Sequence, residues 1–234
     1  MKPYCTIPEW VGRAKCAVCD VRNFVLFSGL SQAELDSILQ PIDNLHVPAQ
    51  ARLYSRDDPA PSLYTVRSGI IKLEVDLPNG GQRTVRLLRP GDIAGLEALF
   101  SEAYRHTAIA LQDADVCRIP REVVLHFDAN NPKVRRALME RWQRAIDLAD
   151  HCIVDLSTGS AESRIARLLL SFVCATDAVE PAIPSREEIG AMLGITAETA
   201  SRIIADFRRR GLIHIEKGEC IACNPEEMKR IAES

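Results

Sequence analysis

Ser185-Arg-Glu-Glu-Ile-Gly-Ala-Met-Leu-Gly194-Ile-Thr-Ala-Glu-Thr-Ala-Ser-Arg202-Ile-Ile-Ala-Asp-Phe207 carries two short apolar patterns on either side of Gly194. Ser185 and Glu188 have capping-box spacing, which predicts a helix start ahead of Ile189, Met192 and Leu193. Gly194 stops that helix, and Thr196 can cap a second one whose apolar side is Ile203, Ile204 and Phe207. Two short helices joined by a tight glycine turn predict a helix-turn-helix. Beyond Gly211, Leu212 to Ile215 reads as a strand, Lys217-Gly218 as a turn and Cys220 to Cys223 as a return strand, which completes a winged helix.

In the second helix Glu198, Ser201 and Arg202 stand at i, i+3 and i+4 and share one face near its start, where a recognition helix meets bases. Arg can donate twice to guanine, Glu can accept from cytosine, and Ser suits either edge. Thr196 and Thr199 are further DNA-contact candidates, and Arg208 and Arg209 are phosphate candidates. The bland alternatives are a Glu198–Arg202 surface pair and, for Arg208 to Arg210, a solvated helix end.

Upstream, Pro132 to Leu156 has no glycine and no internal proline and predicts one helix of about 25 residues, roughly 37 Å long. Leu138, Trp142, Ala145, Ala149, Cys152 and Leu156 alternate four and three apart, the seam of a coiled-coil dimer interface. Val134, Ile146 and Ile153 lie on another face and are expected against the preceding domain. That domain reads as strands. Ile71, Leu73 and Val75 alternate with Lys72, Glu74 and Asp76, the period of a half-buried strand. Asn79-Gly80 is a hairpin signal, and Pro90-Gly91-Asp92 marks another turn. A helix is expected from Ser31 to about Gln40.

The expected architecture is α+β. It has an irregular cysteine-bearing arm (1–23), a β-roll sensor domain (24–128), a dimerisation helix (129–157) and a winged helix-turn-helix (158–234). The net charge of -3 gives no global basic signal, so positive charge for DNA must be local. No run of roughly 18 apolar residues and no secretory signal is present, so a cytoplasmic protein with no membrane partner is expected. The eight cysteines are then thiols or metal ligands rather than disulfides. No nucleophile–base constellation suggests an enzyme; an iron-sulfur or thiol oxidoreductase is the remote alternative.

The stretch Ile195 to Arg202 resembles the recognition helix of the CRP/FNR regulators of FNR type, which have Glu, Ser and Arg at these three positions. The resemblance runs from about Cys16 to the C-terminus and includes Leu63 to Gly69, Pro90-Gly91-Asp92 and Val116 to Pro120. It implies a homodimer on an inverted repeat of double-stranded DNA with TTGAT half-sites, acting through RNA polymerase.

The resemblance also frames the signal. Cyclic-nucleotide-binding members hold the ribose with Glu and the phosphate with Arg-Ser, where this chain has Leu96 and His106-Thr107. Glu97 and Arg105 each sit one residue away, and one residue in a strand reverses the face, so no cyclic nucleotide is expected. FNR-type sensors hold a [4Fe–4S] cluster, which makes Cys5, Cys16, Cys19 and Cys117 the expected ligands. Cys16-x-x-Cys19 has chelate spacing and Cys117 matches the family's distal cysteine. The departure is that Val25 stands where a further N-terminal cysteine belongs; Cys5 is the replacement and Asp20 a weaker one. The resemblance further implies that oxygen or nitric oxide acts at that cluster and so alters the dimer helix. Zinc and a dithiol redox switch remain open. So does haem, although the five histidines show no axial-ligand pattern. Cys152 and Cys174 read as core residues, and Cys220-x-x-Cys223 falls on a strand that would point its thiols apart.

Overall fold

The computed structural model describes residues 8–14, 26–27, 30–38, 41–173, 183–216, 219–222 and 224–233. Two compact units emerge, one of residues 1–75 with 84–148, the other of 149–234 with 76–83.

The first unit holds two sheets. Strands β1 (Glu9–Arg13), β2 (Asp43–Val47), β4 (Ser62–Ser68), β7 (Ile93–Ala94) and β9 (Ala114–Pro120) make one, in the order β1-β2-β9-β4-β7. Strands β3 (Arg52–Tyr54), β5 (Ile71–Asp76), β6 (Gln82–Leu88) and β8 (Thr107–Ala110) make the other, in the order β3-β8-β5-β6. Their common core takes Val47, Val66 and Val116 from the first sheet and Ile71, Leu73 and Ala108 from the second. The expected hairpin closes with Leu77 N–H donating to the Gly81 carbonyl and Gly80 at φ 78°. Helix α1 has the Ser31–Glu34 capping box but spans only Gln32–Asp36, shorter than expected.

Two expectations change here. The arm is not irregular throughout, because Glu9–Arg13 pairs antiparallel with β2 as an edge strand. Asp43 anchors it, accepting from Trp10 Nε1 at 3.1 Å and from Arg118 of β9 at 2.5 Å. And β5 is not half-buried. Lys72 and Glu74, expected on a solvent face, are 7% and 2% exposed and lie 3.1 Å apart as an ion pair. The sheet is covered on both faces there, so the charges can be tolerated only together.

Helix α2 (Arg121–Asn130) follows β9, and an extended Asn131 separates it from helix α3 (Pro132–Ser157). The second unit contains α4 (Ala161–Val173), α5 (Arg186–Leu193), α6 (Ala197–Arg209), the antiparallel wing strands β10 (Ile213–Glu216) and β11 (Glu219–Ala222), and α7 (Pro225–Glu233). Its core is built from Ile165, Leu168, Leu169, Ile189, Met192, Ile204 and Phe207.

Candidate nucleic-acid interface

Local chemistry sets the two-helix turn. The Ser185 hydroxyl accepts from Glu188 N–H at 3.2 Å while the Glu188 carboxylate accepts from Ser185 N–H at 2.8 Å, so the expected capping box is complete. Helix α5 ends at Gly194, φ 65°, whose N–H donates to the Gly190 carbonyl at 2.8 Å. Gly190 is a packing requirement, since a Cβ there would lie 2.7 Å from the Ile195 carbonyl oxygen. Arg164 of α4 donates to the Leu193 carbonyl at 2.7 Å and satisfies an otherwise open group at the end of α5.

Helix α6 starts on Thr196, whose Oγ1 accepts from Thr199 N–H at 3.1 Å and lies 2.9 Å from Thr199 Oγ1. The two threonines thus orient the helix start through each other. Ala200, Ile204 and Phe207 face inward. Ile203, expected beside them, is only half-buried, because a helix turns about 100° per residue and 200/204/207 is the face aligned on the core. Glu198, Ser201 and Arg202 are all exposed on the opposite side. Among the described residues no ion pair joins Glu198 to Arg202, so neither charge is spent within the helix.

The arginine run behaves otherwise. Arg208 is exposed and in no described ion pair. Arg209 pairs with Asp206. Arg210 donates to Glu162 at 2.7 Å and contacts Asp206 at 3.4 Å, and the Glu162 carboxylate raises the Arg210 pKa further above its usual range. The expected local basicity is therefore partly neutralised by carboxylates that the spacing of the arginines alone does not reveal.

On α3 the expected seam is turned. Leu138 and Ala145 are buried in the chain's own core, Leu156 is buried, and Trp142, Ala149 and Cys152 are half-buried. Trp142 packs against Phe100 with the rings tilted by 53° and their centroids 5.8 Å apart. The exposed large apolar residues of α3 are Met139, Ile146, Ile153 and Val154, at 60%, 52%, 63% and 57%, and the first three, seven apart, form one stripe. Ile146 and Ile153, expected against the β domain, instead lie outward; only Val134 of that set is buried. Their seven-residue spacing was the available signal.

In the roll, Cys117 is buried on β9 and its thiol donates to Asn44 Oδ1 at 3.3 Å. Gly12, Asn44, Cys117 and Thr65 form one row across β1, β2, β9 and β4. The buried Thr65 hydroxyl in that row has no hydrogen-bond partner among the described residues. Ala14 N–H donates to the Ile42 carbonyl at 2.7 Å, two residues before Cys16. Cys5, Cys16 and Cys19 lie outside the described residues, as do Cys174 and Cys223. Among the described residues no group of three or more His, Cys, Asp or Glu is placed to hold a metal ion.

Leu96 is in the core, and Glu97 Oε1 accepts from Arg105 N–H at 3.2 Å and lies 3.3 Å from His106 Nδ1. Burial pushes the Glu97 carboxyl up, but the bonds from His106 and Arg105 more than offset it and its pKa is lowered. Arg86 Nη2 lies 3.5 Å from the same His106 nitrogen.

A winged helix-turn-helix in one unit and a two-sheet β fold in the other define a DNA-binding transcription regulator. Residues 44–131 match the cyclic nucleotide-binding domain family and residues 163–231 the Crp-like helix-turn-helix domain family. The chain is 27% identical to the Fumarate and nitrate reduction regulatory protein of Vibrio cholerae, over 93% of this chain and 90% of that one. It is 29% identical to the Transcriptional activator protein anr of Pseudomonas aeruginosa, over 88% of each. A solved CRP-family transcriptional regulator from Thermus thermophilus superposes with a TM-score of 0.72 at 27% identity, covering 81% of this chain and 96% of that one. The chain belongs to the CRP/FNR family, whose members are transcription regulators and not enzymes. Among the described residues no helix is long and apolar enough to cross a membrane.

Proposed function

We propose that the chain is a cytoplasmic, homodimeric regulator of the FNR type. It reads a TTGAT-type inverted repeat with Glu198, Ser201 and Arg202 and responds to oxygen or nitric oxide. The observation that carries the DNA reading is the outward face of α6, where these three side chains are exposed at the start of a helix whose opposite face is core. Thr196 and Thr199 hold that start in place, and Arg208 is the arginine most available to a phosphate. RNA polymerase is the expected protein partner.

Cys5, Cys16, Cys19 and Cys117 would hold a [4Fe–4S] cluster, which when bound supplies iron reactive towards oxygen and nitric oxide. Three observations support this assignment. Cys117 is buried in a row that reaches β1, an orphaned Thr65 hydroxyl lies in the same row, and Ala14 ties the chain down two residues before Cys16. Strand β9 runs directly into α2, which precedes α3, so what happens at Cys117 bears on the start of the dimer helix. Leu96 in the core and the out-of-register Glu97, whose carboxylate is already engaged by Arg105 N–H and His106, argue against a cyclic nucleotide. The second copy would pack on Met139, Ile146 and Ile153, with Trp142 and Ala149 flanking; the buried Leu138, Ala145 and Leu156, and Cys152, lie off that stripe.

Anaerobic purification followed by iron, sulfide and zinc analysis tests the sensor. The expected result is a broad visible band with about four irons per chain, lost in Cys117→Ser; colourless anaerobic protein, or zinc alone, overturns it. A gel shift tests the reader, with the TTGAT palindrome expected to bind roughly a thousandfold more tightly than a scrambled duplex. Equal binding overturns the half-site. Sedimentation tests the dimer face: Ile146→Glu should give a monomer of unchanged melting temperature, and a dimer would refute the stripe.

A further inference from the structure

Two carboxylates pair with the arginines at the end of α6. Helix α6, Arg210 and the Glu162 that pairs with it hold four arginines and three carboxylates. Asp206 takes Arg209, and Asp206 and Glu162 together take Arg210. The pairs are not remote from the reading face. Glu162, Asp206 and Arg209 line the same shallow groove, about 500 Å³, as Arg202, Ile203 and Ala205.

A guanidinium bound to a carboxylate has the charge and bidentate geometry it would use on a phosphate, so the two ligands compete for it. Each paired arginine must leave its carboxylate before it can neutralise a phosphate, and the freed carboxylate then repels the backbone. The cost is the same on every sequence, because phosphates carry no base information. The whole chain is already negative, at -3, so its sequence-independent affinity depends on the few cations that remain.

We propose that Glu162 and Asp206 act as an electrostatic brake on the DNA-binding face. They occupy Arg209 and Arg210 as phosphates would, and so cap the sequence-independent part of the affinity while leaving base discrimination to Glu198, Ser201 and Arg202. This rests on the DNA-binding reading, but not on the TTGAT half-site.

The test is a salt titration of binding, by fluorescence anisotropy, with full-length protein on two duplexes, the palindrome and a scrambled sequence. Asp206→Asn should tighten both by a similar factor, about three- to tenfold at low salt, and steepen the salt slope by about one unit per subunit. Adding Glu162→Gln should bring the steepening to about two units per subunit. The ratio of the two affinities should stay at its wild-type value. Wild-type slopes in folded variants overturn the brake. So does a gain confined to the palindrome, which would mean that the carboxylates act through Arg202. Should Asp206→Asn not fold, Glu162→Gln alone decides: a smaller rise on both duplexes supports the proposal and an unchanged slope refutes it. The wild-type preference between the duplexes reports the half-site separately, since a protein that binds both equally still shows or lacks the charge effect.

Discussion

The first turns of helix α6 and strand β5 carry the same kind of signal, apolar residues alternating periodically with charged ones, and the fold treats their charges in opposite ways. On α6 the charged positions Glu198 and Arg202 point to solvent, unspent. On β5 the charged positions Lys72 and Glu74 are buried and spent on each other. A helix lying on the surface of a small unit has one covered side, so its polar face is outside by construction. A strand central in its sheet can be covered on both faces, and then alternation no longer means in and out. The difference teaches that charge exposed on a surface helix reports on partners, whereas charge in this sheet reports on internal order.

The largest expected effect breaks the β5 side of that comparison. Glu74→Ala leaves the Lys72 ammonium buried without its carboxylate and should cost about 3–5 kcal/mol in urea denaturation. Replacing both, as Lys72→Met with Glu74→Leu, should recover most of the loss. If Glu74→Ala is neutral, the pair is not a structural element and β5 resembles α6 after all. A smaller effect sharpens the α6 side. Arg202→Ala should cost about 1–3 kcal/mol on the palindrome, relax base preference and leave melting unchanged. A uniform loss on every sequence would make Arg202 a phosphate contact.

The smallest effect lies between the two cases, at the half-exposed pair His46–Asp115, 3.0 Å apart on β2 and β9. The hydrogen bond to Asp115 raises the His46 pKa above 6.5; burial opposes it, and the charges of Asp115, Asp113 and Glu9 add to the rise. A raised folded pKa means the contribution is whole below 6.5 and is lost as pH rises through the folded value. Thermal melts from pH 6 to 8 should therefore show a decline of well under about 1 kcal/mol that Asp115→Asn abolishes. An identical pH profile in that variant would remove the pair from the account.

Much of the reading unit was legible because its determinants are local. Ser185 with Glu188, Gly194 and Thr196 act within one helical turn of themselves, and each capping contact expected from spacing is made. The hairpin at Asn79-Gly80 and the unbroken α3 are legible for the same reason. The proposed dimer face was not. The seam through Leu138 and Ala145 and the stripe through Met139, Ile146 and Ile153 are both periodic, and only the packing of the first into the core tells them apart. The partners of Asp206 were not legible either: Arg209 and Arg210 close on it, and Arg210 also reaches Glu162, 48 positions before it.

The sequence by itself determined the helix-turn-helix, the long helix α3 and that Glu198, Ser201 and Arg202 share one face of α6, because spacing along a helix sets which residues share a face. The tertiary structure alone decided which arginines are already paired, which side of α3 is outward and that Lys72 and Glu74 are internal. Those outcomes depend on what covers each surface, and the covering residues come from distant parts of the chain whose approach no local pattern records.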